Sequence, residues 1–226
     1  VTQLRKMAQA VGDIVNGTYD GSQISARDAT QRLRQYADII SPWAETVATR
    51  MLNGVAHQEE KQWRTLSRDI SAGLHHQMQH TAIGQVARSI IEQNIQWMKS
   101  IPLHAADRIA DIQSQAIEAM SRGERPTAFM DAILRTGEVA KSRARLIART
   151  EIARATQALT QARATAMGSE GYIWRTAHDP DVRHSHAHME GKFVRWGNPP
   201  TLDGMTGHAG TLPNCRCYCD VVIPEN

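Results

Sequence analysis

Up to Gly168 the apolar residues of this chain recur every third or fourth position, and beyond Gly168 they begin to alternate. The first spacing is the period of an amphipathic helix; the second is that of a half-buried strand. Patterning of this kind predicts a mainly α fold: an elongated helical body followed by a small C-terminal α+β module of short antiparallel strands. The clearest stripe is Ala144, Ile147, Ala148, Ile152, Ala155, Leu159 and Ala162, on a helix predicted from about Ala140 to Met167 with Gly168 as its C-cap. Glu151 lies on the same stripe, one turn from Ile147 and one from Ala155. A carboxylate buried there requires a cationic or hydrogen-bonding partner.

Upstream, the same period predicts a helix from about Leu4 to Val15, stopped by Asn16-Gly17. Ser25 is the predicted cap of a second helix, with Ala29, Leu33, Tyr36, Ala37 and Ile40 on its apolar face. Ser41-Pro42 marks a break or a new helix start. The segment that follows carries Trp43, Val47, Met51, Val55, Trp63, Leu66 and Ile70, with Gly54 and Gly73 as points of interruption. Another helix is predicted from Ile83 to Trp97, stopping near Ile101-Pro102, and a further one over Ala105 to Ser121. Gly123, Arg125 and Pro126 predict a turn, and Thr127 to Leu134 a short helix ending near Gly137. His75, His76 and His80 are expected to face solvent.

Past Gly168, Tyr172 to Thr176 and Cys215 to Val221 alternate as strands do. Between them runs a stretch rich in Gly and Pro, from Gly197 to Pro213. The predicted organisation is an N-terminal helical region over 1–94, a helical lead-in over 95–168 and the small module over 169–226.

Composition narrows the function classes. With 226 residues and 41% apolar content the chain has enough core to fold without staples, and its 5% aromatic share suits a helical body. No run approaches the eighteen or so apolar residues of a membrane span, and no signal peptide is read at Val1. The net charge of +3 is mild, but seven basic residues stand between Arg135 and Arg163 against two acidic ones. Arg143, Arg145, Arg154 and Arg163 are the predicted face toward DNA or a partner.

Five of the ten histidines lie between His178 and His208, and all three cysteines between Cys215 and Cys219. In an extended chain Cys215, Cys217 and Cys219 point to one side, as do His184, His186 and His188. Two thiolates with two imidazoles suit tetrahedral zinc, and His186, His208, Cys215 and Cys217 are the candidate ligands. Buried thiols packing as small hydrophobes are the alternative. Asp179, Arg183 and His186 have the chemistry of either a polar scaffold or a base with its orienting groups. No recognisable nucleophile, phosphate loop or two-metal carboxylate cluster accompanies them, so no catalytic residue is assigned.

Six elements occur in a fixed order: Ala148-Arg149-Thr150-Glu151, Trp174-Arg175-Thr176, Asp179, Arg183 with His186, Gly191, and Pro213-Asn214-Cys215-Arg216-Cys217. In that order they resemble the phage minor head proteins, the head-morphogenesis family typified by phage Mu protein F and the SPP1 minor head protein. The resemblance covers about 95–222. His184, His188 and Cys219 are additions to the family pattern, and Leu212 stands where some relatives carry His. The resemblance implies a minor capsid protein of a tailed phage or prophage, a structural component of the head near the portal vertex and not an enzyme. It implies the portal protein or major capsid protein as partner, packaged DNA as a further one, and neither membrane nor small-molecule substrate. Its expected places are the virion head and, during assembly, the bacterial cytoplasm. Arg149, Glu151, Asp179, Arg183 and His186 are the expected polar network joining the last helix to the module. A nuclease-like or toxin-like enzyme module and a DNA-binding virion protein are the competing readings.

Overall fold

A computed structural model describes residues 2–67, 83–122 and 127–224. It is mainly helical with a small antiparallel sheet near its C-terminal end. The helices are α1 (Thr2–Thr18), α2 (Gln23–Ile39), α3 (Ser41–Ser67), α4 (Ile83–Ser121), α5 (Thr127–Leu134) and α6 (Thr136–Ala166). Two compact units are present, one of Val1–Val47 with Gln93–Ala148 and the other of Ala48–Glu92 with Arg149–Asn226. Neither unit is a continuous stretch of chain.

In the first unit α1 buries Leu4, Met7, Ala8, Val11 and Val15, and α2 buries Ala26, Ala29, Leu33 and Ala37. These two stripes meet, and each large side chain removed from water contributes about 1.5–3 kcal/mol. The cap of α2 is Ser22, three residues before the predicted Ser25. The Ser22 hydroxyl accepts from the Ser25 amide at 3.1 Å. The Ser25 hydroxyl instead donates to Asp20 at 2.6 Å. That bond and the Ser22 amide hold the Asp20 carboxyl down at about 2.

Two predicted helix stops are passed through: α1 continues over Asn16-Gly17 to Thr18, and α4 continues over Ile101-Pro102. α4 runs straight through Ile101-Pro102, because Met98, Ile101, Ala105, Ile109 and Ile112 continue one buried face across the proline. Burial of that face outweighs the roughly 3 kcal/mol that an internal proline costs. One turn above, Ser100 donates to the Trp97 carbonyl at 2.7 Å. α5 spans Thr127–Leu134 as predicted, and Gly137 just beyond it lies in the first turn of α6, against Gly12 of α1. A β-carbon on Gly137 would sit 2.9 Å from the Gly12 α-carbon, whereas one on Gly12 would meet Gly137 at an ordinary 3.6 Å. Gly137→Ala is therefore expected to lower stability by about 1–3 kcal/mol. Gly12→Ala is expected to be neutral or to gain up to about 1 kcal/mol of helix propensity. Thermal unfolding of the two variants side by side checks this; equal effects would mean that the helices do not touch there.

In the second unit Leu52, Ile90, Ala155 and Leu159 form a helical core. α3 passes through Gly54 without a break. The buried line on this helix is Ala44, Ala48 and Leu52, with Trp43, Val47, Met51 and Val55 half-buried beside it. Trp63 and Leu66 have no described side-chain position. Ile70, Gly73, His75, His76, His80 and the 123–126 turn fall outside the described residues.

α6 ends as predicted at Gly168, whose φ of +82° suits only glycine without strain. The Ser169 amide reaches back to Ala164 and the Gly168 amide to Thr165, each at 3.0 Å, which is the Schellman pattern. Ser169 then fastens the helix end to the module, donating to the Gly171 carbonyl at 2.9 Å and accepting from the Trp196 indole at 3.2 Å.

The module is a three-stranded sheet in the order β2 (Phe193–Arg195), β1 (Gly171–Arg175), β5 (Tyr218–Val222). β1 pairs antiparallel with both neighbours, Tyr172 opposite Val194 and Val221. A hairpin of β3 (Thr201–Leu202) and β4 (Met205–Thr206) turns at Asp203-Gly204, both with positive φ. That is the backbone a two-residue I′ turn requires. Tyr172, Trp174, Val194, Trp196, Ala209 and Cys217 form the core together with Ala164 and Met167 from the end of α6.

Candidate metal centre

The residues Asp179 to Ala187 place the first ligand. The Asp181 amide donates to the Asp179 carboxylate at 3.0 Å, turning the chain into the one-turn helix α7 (His184–Ala187). A helix rotates each residue by about 100°, so the three alternate histidines do not share a face as an extended chain would have them. His184 and His188 stand outside with ring centroids 4.3 Å apart. His186 points inward, 2% exposed, its ring perpendicular to that of Trp174 at 5.7 Å.

Cys215 and Cys217 arrive from a turn at Asn214, whose φ is +56°. β5 starts only at Tyr218, later than the predicted Cys215, and so the three thiols do not line one strand face. Cys215 and Cys217 turn toward His186, while the Cys219 sulfur approaches the Ala209 carbonyl at 3.9 Å. The Cys215 sulfur lies 3.4 Å and the Cys217 sulfur 3.7 Å from the same Nδ1 of His186. One ring nitrogen cannot form a full hydrogen bond to both. Zinc bonds of about 2.3 Å to sulfur and 2.0–2.1 Å to nitrogen at the tetrahedral angle give a sulfur–nitrogen edge of about 3.6 Å, between the two observed values. The other ring nitrogen, Nε2, is buried without a hydrogen-bond partner. The bond between the thiols divides the pair: Cys217 donates to Cys215, which falls well below the ordinary thiol range against the effect of burial, while the same bond and burial push Cys217 up. The pair thus holds one negative charge readily, and a cation binding there would displace the second proton.

Three bonds tie the ligand-bearing segments together. Arg183 donates to the Pro213 carbonyl at 2.7 Å. Arg216, between the two cysteines, donates to Asp179 at 2.6 Å and to Asp181 at 3.1 Å. Asp179 and Arg183, predicted members of one network with Glu151, therefore each reach across to the cysteine segment.

His208, a predicted ligand, lies elsewhere. Its Nδ1 is 3.2 Å from the Tyr172 hydroxyl, and its ring packs edge-on against Tyr172 and Trp196. The Ala209 amide donates to the same hydroxyl at 3.1 Å, which leaves the phenol proton for a neutral His208. Burial holds the His208 pKa below its ordinary 6.5. A histidine lowered in the folded state binds its proton more readily when unfolded. Its contribution is complete above about pH 6.5 and is lost as pH falls through that value toward the folded pKa. Denaturant titrations at pH 7.5 and 5.5 are expected to show lower stability at the acid end, and His208→Gln is expected to flatten that slope.

Glu151 is 3% exposed, and burial raises its pKa against the opposing pull of Arg154. Arg154 donates to Glu151 at 2.9 Å and, through Nε, to the Thr211 carbonyl at 2.8 Å. The link between helix and module is thus made by Arg154, while Arg149 is exposed. Ile152, predicted on the buried stripe, is 40% exposed instead.

Three of the four arginines predicted to face DNA or a partner have partners within the protein. Arg163 is buried and directed at the Ala56 carbonyl, and Arg154 points inward. Arg143 is half-buried and donates to Ser100 at 3.3 Å. Arg145 alone of the four is exposed. A second cluster went unread in the sequence. Glu190 accepts from the Thr176 amide at 2.6 Å and hydroxyl at 2.8 Å, and these bonds lower its pKa. No local signal marks Glu190, whereas the dipeptide Asp203-Gly204 is a hairpin signature.

Comparison with known proteins agrees with this part of the chain. The model of the family described as "Phage Mu protein F like protein" matches residues 110–219. A relative from Haemophilus influenzae strain Rd, described as "Uncharacterized protein", is 33% identical over 144 residues. That alignment takes in 64% of this chain but 31% of the relative, so the chain spans about a third of that protein. No solved structure matches. Among the described residues no helix is long and apolar enough to cross a membrane. The matched stretch begins in α4, includes all of α6 and ends at Cys219, enclosing Glu151, Arg154, His186 and the Cys215–Cys217 pair; this region is similar to the Phage Mu protein F like family.

Proposed function

We propose that the chain is a minor capsid protein of a tailed phage or prophage, a structural binding component of the head near the portal vertex, with the portal or major capsid protein as its partner. The family match over 110–219 carries this reading. The engagement of the polar residues supports binding over turnover. Glu151 is taken by Arg154, Asp179 by Arg216, and Glu190 by Thr176 and Arg175. Side chains committed to each other in this way brace a module. In the same reading His186, Cys215 and Cys217 hold a zinc ion, which closes a module too small to be stabilised by its apolar core alone. Cross-linking mass spectrometry on purified heads tests the proposal. Cross-links to portal or capsid protein are the expected result, and absence of the chain from the particles overturns it.

A further inference from the structure

We infer that the metal centre is an open one: the chain supplies three ligands, His186 Nδ1 and the sulfurs of Cys215 and Cys217, and the fourth position is left to an exchangeable donor from solution. This rests on the reading that the centre takes a metal. The three ligand atoms lie within 4.8 Å of one another, and no fourth His, Cys, Asp or Glu joins them among the described residues. The nearby donors are held elsewhere. His208 is bound to Tyr172, Cys219 is directed at Ala209, and Glu190 is bound by Thr176. Asp179 and Asp181 are both tied to Arg216. To serve as a fourth ligand, any of these five side chains would have to break its contact.

The side of the open position follows from burial. His186 and Cys217 are buried and Cys215 is half-buried, so the centre meets solvent at Cys215. Structural zinc sites are closed by four protein ligands, whereas a site with three keeps a water or another small ligand in the fourth place. Water is the resting ligand here, and small anions or thiolates exchange with it. Arg183 and Arg216 are positioning residues: they touch no ligand atom of the centre but fix the spacing of the two segments that carry them.

The test is cobalt(II) substitution in the full chain, read by absorption. One cobalt per chain is expected, with near-ultraviolet thiolate charge transfer from two sulfurs and visible bands of a four-coordinate ion. Cys217→Ser is expected to lose about half of the charge-transfer intensity, and Cys219→Ala none, because only Cys215 and Cys217 ligate. Adding azide is then expected to shift the visible bands. Visible bands that ignore azide would mean that the chain fills the fourth position, which overturns the open centre but leaves the metal reading standing. Absence of the charge-transfer bands from the folded Cys219→Ala variant and the parent chain alike would overturn the metal reading itself.

Discussion

Arg154→Leu is expected to cost the second compact unit about 3–5 kcal/mol, because it leaves the Glu151 carboxylate buried and unpaired. Arg154 is the residue that meets both Glu151 and the Thr211 carbonyl, so its loss also frees the loop that precedes the cysteines. Glu151→Gln keeps an acceptor for the guanidinium and removes the buried charge, with an expected cost of about 1–2 kcal/mol. The double variant Glu151→Leu/Arg154→Leu is expected to recover much of the loss, since apolar replacement of a buried pair is often close to neutral. Denaturant unfolding of the three variants provides the comparison, and equal losses in all three would mean that the pair is not coupled.

The pH dependence carries a second signature of the same pair. Burial raises the Glu151 pKa above its ordinary 4.5, and Arg154 opposes the rise. An acid raised in the folded state contributes stability that is present below its ordinary pKa and lost as pH rises through the folded value. Without Arg154 the opposition is gone, and the Arg154→Leu variant is expected to gain stability relative to the parent on acidification from neutral pH toward pH 5. A constant difference between the two proteins over that range would count against an ionised Glu151.

Removing divalent metal is expected to have the larger effect on the sheet module. A metal held by His186, Cys215 and Cys217 adds its binding free energy to the stability of the folded module, whose small core supplies little by itself. The core of the module is built around Tyr172, Trp174 and Trp196, with Tyr172 and Trp196 ring centroids 4.7 Å apart. A strong chelator is therefore expected to abolish the near-ultraviolet circular dichroism of these rings while most of the helical signal persists. Re-addition of zinc is expected to restore it, and His186→Ala to mimic the chelated state. An unchanged tertiary spectrum in chelator would place the module's stability in its apolar packing alone.

Reading by period succeeded where one rule governs one element. α1, the Gly168 cap and β1 follow from spacing and from glycine's access to positive φ. It failed where packing outweighs a local rule. Pro102 sits inside α4 because Met98, Ile101, Ala105 and Ile109 bury one face across it. The carboxylate on the α6 stripe was legible from Ile147 and Ala155, but its partner was not: Arg149 and Arg154 are equally basic in the sequence. Only the position of the Thr211 carbonyl selects Arg154.

The sequence by itself determined the class of the fold, the switch of character at Gly168, the need of Glu151 for a partner, and the family motifs from Ala148 to Cys217. These are properties of residue order along the chain, carried by periodicity and by a few residues with special backbone freedom. Tertiary structure alone decided which histidine meets which cysteines. A one-turn helix rotates His186 inward and His184 and His188 outward, and a late start of β5 sends Cys219 away from Cys215 and Cys217. Ligand sets depend on distances between segments some thirty residues apart. Those distances are set by Arg183 on Pro213 and Arg216 on Asp179, contacts that no local pattern encodes.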